Sequence, residues 1–182
     1  MTETEVRSRI KQCAVVILNW NGIDDSKACV QSLLTQSLGP PSIWIVDNAS
    51  CNNEYQRLVN EFGENDFVTL VSNDKNLGFS RAHNAVFKEL LRKGFKWVAC
   101  LNNDAIADVA WLEELMYKTA KDDTFCVGSW MLQQANPSLL DNVGHFMLNT
   151  GEIIPLGHGL PSHGFRHNSG VIGACAGACI YN

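Results

Sequence analysis

The stretch Phe95-Lys-Trp-Val-Ala-Cys-Leu-Asn-Asn-Asp104 decides how the rest of the chain reads. Its first seven residues are a short apolar run with aromatic and β-branched members, following a helical stretch that closes at Gly94, and this predicts a buried strand. Asn102, Asn103 and Asp104 come directly after it. Ligands of open α/β sheets gather outside the carboxyl ends of the strands, so this triplet belongs on a binding edge. A hard divalent cation takes one or two protein carboxylates, with phosphate oxygens and water completing its shell. Asp104 alone therefore suffices to recruit a metal and a nucleotide diphosphate. A strand-end aspartate equally serves as a helix cap, and Asp108 stands in the better position to cap a helix over residues 109–121.

Outward from this segment the same alternation recurs. Residues 13–18 form a continuous apolar run, punctuated by Asn19-Trp-Asn-Gly22, and read as a first, central strand. Residues 24–37 carry Val30, Leu33 and Leu34, with Leu38 next beyond, at helical spacing before the stop Gly39-Pro-Pro41. A second strand over residues 42–46, a helix over 53–62 and a third strand over 67–71 follow. A helix over 80–92 then places Ala82, Ala85, Val86 and Leu90 on one face. Four βα units in succession predict an α/β fold, with a mainly parallel central sheet covered on both faces. Beyond Lys121 the signals weaken: a strand over residues 125–132, a hairpin across Asn149-Thr-Gly151, a loop over 156–169 and a final apolar segment over 171–181.

Length and composition suit one domain, with 182 residues and 46% hydrophobic residues. Residues 1–11 read as a polar N-terminal tail, neither signal peptide nor anchor, ahead of a domain over 12–182. No stretch reads as a transmembrane segment. The net charge of −5 has no basic block to offset it, which argues against nucleic acid as a partner. Seven cysteines without a C-x-x-C pair read as reduced thiols of a cytoplasmic protein, with the inner membrane face, reached through an acceptor or a missing segment, as the alternative location. The histidines at 145, 158, 163 and 167 read as surface loop groups rather than a zinc site, although His163 and His167 have i, i+4 spacing.

Three predicted strand ends carry small polar side chains: Asn19 and Asn21, then Asp47, Asn48 and Ser50, then Asn102 to Asp104. Parallel strands leave their carboxyl ends on one edge, so these groups converge. Asp47 and Asn48 suit the edge of a nucleobase, and Asp104 suits a metal that neutralises a diphosphate. Singly, each is also an ordinary turn or cap residue. The loop Asn73 to Asn84 reads in two ways. Gly78 permits a tight turn that brings backbone amides and Arg81 to an anionic ligand, or Ser80 simply caps the following helix. Neither G-x-G-x-x-G nor a P-loop occurs.

Val15-Val-Ile-Leu-Asn-Trp-Asn-Gly22, Ile45-Val-Asp-Asn-Ala-Ser50, Asn76-Leu-Gly-Phe79 with Asn84, Leu101-Asn-Asn-Asp104 and Gly173-Ala-Cys-Ala-Gly-Ala-Cys179 resemble, in order and spacing, the inverting family 2 glycosyltransferases. The rhamnosyltransferase-like branch is the nearest likeness. The resemblance implies a GT-A, Rossmann-like three-layer fold. It also implies transfer of a sugar, with inversion, from a dTDP- or UDP-linked donor to a glycan or lipid-linked acceptor in polysaccharide biosynthesis. By that likeness Asp47 contacts the base, Asn19 and Asn21 line the nucleotide pocket, Asn103 faces the ribose, and Asp104 holds Mg²⁺ or Mn²⁺. The family often has an acidic residue ahead of the final Asp, where this chain has Asn102 and Asn103. The family's general base lies downstream of the Gly-Ala-Cys segment, so no residue here is assigned that role and the chain reads as C-terminally truncated. Two other readings are a non-catalytic nucleotide-binding module and a nucleotidyltransferase. The second lacks its glycine-rich basic loop here.

Overall fold

Strand β1 (Cys13–Asn19) is flanked on both sides by parallel neighbours, β2 (Ser42–Asp47) and β4 (Trp97–Leu101), with Val15 opposite both Ile43 and Ala99. The computed structural model describes residues 1–120, 124–166 and 171–182. Its main sheet has six strands in the order β3-β2-β1-β4-β10-β5, where β3 is Val68–Ser72, β5 is Cys126–Gly128 and β10 is Ala178–Tyr181. Strands β1 to β4 are parallel, and β10 lies antiparallel between β4 and β5.

Side chains alternate across the sheet with the period of two that extended backbone imposes. Val15, Ile17, Ile43, Ile45, Ala99 and Leu101 face α1 (Glu3–Ile10), α2 (Ile23–Leu34), α3 (Glu54–Phe62) and α5 (Trp111–Lys118). Ala14, Val16, Trp44, Val46 and Val98 face the other way, against Val86 and Leu90 of α4 (Phe79–Arg92). The result is a three-layer α/β fold, as the alternation of elements predicts. Among the described residues α4 is the one helix on its side of the sheet.

Several expectations need correction. The segment read as a polar tail is helix α1: a reciprocal capping box between Thr2 and Glu5 starts it, and the i, i+4 pair Val6 and Ile10 is buried. Gly78, with φ of 74°, precedes α4, and Ser80 lies inside the first turn rather than capping it. His83 takes the buried place expected of Ala85, which is exposed. Helix α5 begins at Trp111, and Asp108 instead accepts the backbone N–H of Ala110 at 2.9 Å in a turn before it. The expected end of that helix, Lys121, and His167 of the histidine pair lie outside the described residues.

The single strand expected over residues 125–132 is two, β5 and β6 (Met131–Gln133), in different sheets. Strand β6 pairs with β7 (Asn136–Asn142), a hairpin the sequence did not announce. The hairpin expected across Asn149-Thr-Gly151 is present as β8 (His145–Met147) and β9 (Ile153–Pro155). Gly151 there takes a φ of 85°, which favours glycine. Of the final apolar segment only Ala178–Tyr181 is strand, and Val171 and Ile172 are exposed.

Candidate active site

The register of the parallel strands sets Asn19, the last residue of β1, beside Asp47, the last of β2. Both are buried, as are Ser26 of α2 and Glu54 of α3. The amide nitrogen of Asn19 reaches Asp47 Oδ1 at 2.8 Å, Glu54 Oε2 at 3.0 Å and Ser50 Oγ at 3.1 Å. Its carbonyl oxygen accepts the Ser26 hydroxyl at 2.7 Å, and Asn103 Nδ2 donates to that hydroxyl at 3.1 Å and to the Gly22 carbonyl at 3.3 Å. The second Asp47 oxygen accepts the Ser50 N–H at 3.1 Å. One unbroken chain of hydrogen bonds thus runs from Asn103, after β4, to the loop after β2. Buried polar groups of this kind rigidify a site only when every partner is present. Gly22 is part of the arrangement, since a Cβ there would stand 2.8 Å from Asn103 Nδ2.

A second set fixes the loop before α4. Asn48 Oδ1 accepts from Asn73 Nδ2 and Leu77 N, both at 3.0 Å. Its amide donates to Asn76 Oδ1 at 2.8 Å, which also accepts the Gly78 N–H at 2.8 Å. Among the described residues the four non-glycine residues with left-handed backbone, Asn21, Ala49, Asn52 and Asn53, all lie in the loops after β1 and β2. Such strain gathers where surrounding structure over-determines a functional loop. Asn21 donates its N–H to Ser50 Oγ at 3.0 Å and accepts Cys51 N–H at 2.8 Å, which locks the two loops together.

These loops enclose a cavity of about 420 Å³ at the carboxyl ends of β1, β2 and β4. That volume is in the range of small-molecule sites. Leu18, Trp20, Asn48 and Asn76 form part of its wall, and Gly78, Phe79 and Asn102 to Asp104 the rest. Of the residues expected to bind nucleotide, Asn48 and Asn103 line the cavity, and Asp104, the expected metal ligand, lines it too. Asn19, Asn21, Asp47 and Arg81 do not line it. Asn19 and Asp47 serve as the frame beneath it, and Arg81 is exposed in the first turn of α4.

Three kinds of residue were missed. Trp20 and Phe79 present exposed aromatic rings to the cavity, and a bulky aromatic in a polar strand-end loop was the available signal. Ser26 and Glu54 each interrupt an otherwise apolar helical stripe, Ile23-Ser26-Val30-Leu33 and Glu54-Leu58-Phe62. A polar side chain at a core-facing position carries information that an exposed apolar one does not. His83 lies beneath Phe79, ring centroids 4.1 Å apart, and its Nδ1–H donates to the Phe79 carbonyl at 2.9 Å. Burial holds its pKa below the ordinary imidazole value, so it is kept neutral.

Asp104 is exposed and makes no hydrogen bond or ion pair to another described residue. Below it, Cys29 donates its thiol to the Asn102 carbonyl at 3.4 Å. Burial first, and then the charge of Asp104, push that thiol up to about 12. Among the described residues no three His, Cys, Asp or Glu side chains gather to form a metal cage. One uncommitted carboxylate on a cavity wall fits a hard cation that takes most of its shell from diphosphate oxygens and water.

The sequence of residues 14–177 matches glycosyl transferase family 2, and the chain belongs to this family. Its architecture is the GT-A fold. The mannosyltransferase PcManGT from Pyrobaculum calidifontis, in complex with GDP-Man and Mn²⁺, superposes with a TM-score of 0.56 at 16% identity, over 71% of this chain and 42% of that one. S. aureus TarS 1-349 with UDP-GlcNAc gives 0.54 at 14% identity, over 65% and 34%. GalNAc-T7 with UDP, GalNAc and Mn²⁺ gives 0.54 at 21%, over 63% and 22%. The chain spans less than half the length of these solved structures. No curated protein matches the sequence.

Proposed function

We propose that the cavity binds the nucleotide diphosphate of a sugar donor, and that the chain is the donor half of an inverting, metal-dependent hexosyltransferase. The observation that carries this reading is the single uncommitted carboxylate, Asp104, at the carboxyl edge of the parallel strands of a GT-A sheet, on the wall of a cavity that Trp20 and Phe79 also line. Trp20 and Phe79 supply flat apolar faces for a nucleobase, and Asn48 and Asn103 supply amide groups for its edge and for the ribose. Asp47 and Asn19 act by fixing the loop that bears Asn48. Asp104 would hold Mg²⁺ or Mn²⁺ against the diphosphate. Bound there, the cation would act as a Lewis acid that offsets charge developing on the leaving group. The bound cation and nucleotide in PcManGT and GalNAc-T7 support the same chemistry.

The rhamnosyltransferase-like motif order supports a dTDP- or UDP-linked donor and a glycan or lipid-linked acceptor. No described residue on the cavity wall other than Asp104 is acidic. An inverting transfer needs a base for the acceptor hydroxyl. We therefore expect the 182-residue chain to bind donor and to turn it over poorly. That same observation favours a second reading, a non-catalytic nucleotide-binding module.

Calorimetric titration with UDP and dTDP, each with and without Mn²⁺, tests the proposal. Metal-dependent binding that Asp104→Asn abolishes supports it. Equal binding by wild type and Asp104→Asn overturns the metal assignment, and absence of binding by the folded chain overturns the donor site. Sustained sugar transfer by the isolated chain would exclude the module.

A further inference from the structure

The charge of this chain is unevenly placed. Its formal net charge is −5, yet residues 74–96 hold Lys75, Arg81, Lys88, Arg92, Lys93 and Lys96 against only Asp74 and Glu89. Helix α4 dominates this window, and its buried stripe, Ala82, His83, Val86 and Leu90, is turned to the sheet. The opposite stripe, Arg81, Lys88, Leu91 and Arg92, is exposed. Because α4 stands alone in its layer among the described residues, that stripe is an outer surface of the molecule. Arg92 and Lys93 approach Glu89 only at 3.8 and 3.7 Å, and such exposed pairs neutralise little. Leu91 is 64% exposed in the middle of the cations.

A run of exposed charge is ordinarily a solvated helix face. Two features set this one apart: it is segregated from an otherwise acidic chain, and it surrounds an exposed leucine. Cations around an apolar side chain on one helix face match the headgroup region of an anionic bilayer, where both find partners. We propose that the exposed side of α4 docks on a membrane surface rich in anionic phospholipid. Charge complementarity is the argument for this occupant, and it stands independently of what the cavity binds. No helix of the described residues is long and apolar enough to cross a membrane, so the contact is with the surface.

Each Lys or Arg near such a surface raises partitioning about fivefold. Co-sedimentation of the whole chain with phosphatidylcholine vesicles containing phosphatidylglycerol is the test. Binding is expected at low ionic strength, with release as salt is raised. The triple variant Lys88→Gln, Arg92→Gln, Lys96→Gln should lower partitioning about a hundredfold. Its unfolding midpoint should stay at the wild-type value. Reversal of Lys11 and Lys118, both exposed and on helices or turns of the other layer, should leave binding in place. Three results would overturn the proposal. One is no sedimentation of the folded wild type with anionic vesicles. Another is equal capture by pure phosphatidylcholine, which would assign adhesion to exposed apolar residues elsewhere. The third is retention by a soluble polyanion such as heparin without vesicle binding.

Discussion

From Cys13 to Leu101 the four parallel strands are stacked between helices, and β1, β2 and β4 are almost wholly buried. From Cys126 to Tyr181 most strands are three or four residues long and much of their apolar surface faces water. Seven of the fifteen large hydrophobic side chains exposed among the described residues lie in this second region, Trp130 and Ile153 among them. Both regions have apolar sequence. What differs is the partner: in the first a helix follows each strand and packs on the sheet, and in the second, among the described residues, no helix follows a strand. The cavity that Asp104 lines lies wholly at the strand ends of the first region.

The sharpest way to break this comparison is to truncate one isoleucine in each region. Ile17→Ala in β1 empties a fully buried position and should cost about 4 kcal/mol, whereas Ile153→Ala in β9, where the side chain is 58% exposed, should stay within about 0.5 kcal/mol. Urea unfolding of both variants decides it. Similar losses would mean that the second region is packed as firmly as the first.

Polar residues sharpen the contrast next. Asn19→Ala removes the amide that satisfies buried Asp47 and Glu54 together, and should cost about 2–3 kcal/mol. It should also weaken nucleotide binding, although Asn19 does not line the cavity. Asn136→Ala, at the exposed start of β7, loses only local bonds to Ser138 and should stay within about 0.5 kcal/mol. Equal effects of the two variants would show that the buried chain of hydrogen bonds is replaceable by water.

Sequence reading was good where local and tertiary signals coincide. Residues 13–18 and 97–101 are long enough in apolar character to be strands wherever they sit, and following helices fix them as parallel. The edge on which Asn48, Asn103 and Asp104 meet follows from that. What a strand-end residue does once there is another matter. Asn19 and Asp47 carry the same side-chain types as Asn103 and Asp104, but the register of β1 against β2 turns them toward each other, and no one-dimensional pattern contains that register. Antiparallel β10 was beyond reach for a related reason, since its place between β4 and β5 depends on partners about 50 and 80 residues away. Helix α1 was legible in principle, through Thr2, Glu5, Val6 and Ile10, but its charged residues obscured the short apolar stripe.

Acidification provides a further test of the first region's buried polar groups. His83 is neutral in the fold because burial lowers its pKa from the ordinary value of 6.5. A depressed histidine pKa means that the unfolded chain takes up its proton first as pH falls. Stability is therefore fully present above about pH 6.5 and declines below it, until the folded state also protonates. His83→Gln should flatten this part of the profile of unfolding midpoint against pH. An unchanged slope would mean that the ring is hydrated in solution and not held beneath Phe79.

The smallest expected effect concerns strain in the loop after β2. Ala49 holds a φ of 62°, a left-handed conformation in which its Cβ crowds the following carbonyl. The conformation is imposed by its neighbours: Asn48 is bonded to the loop before α4, and Ser50 to Asn19, Asn21 and Asp47. Ala49→Gly relieves about 1 kcal/mol or more of that strain but adds flexibility to the unfolded chain, and the net should be stabilisation by about 0.5 kcal/mol. The same substitution at Ala135, which joins β6 to β7 and has no positive φ, gains nothing from relief and should destabilise slightly. If both variants lose stability, the loop after β2 relaxes in solution, and the buried amides do not hold Asn48 against the cavity as firmly as their geometry requires.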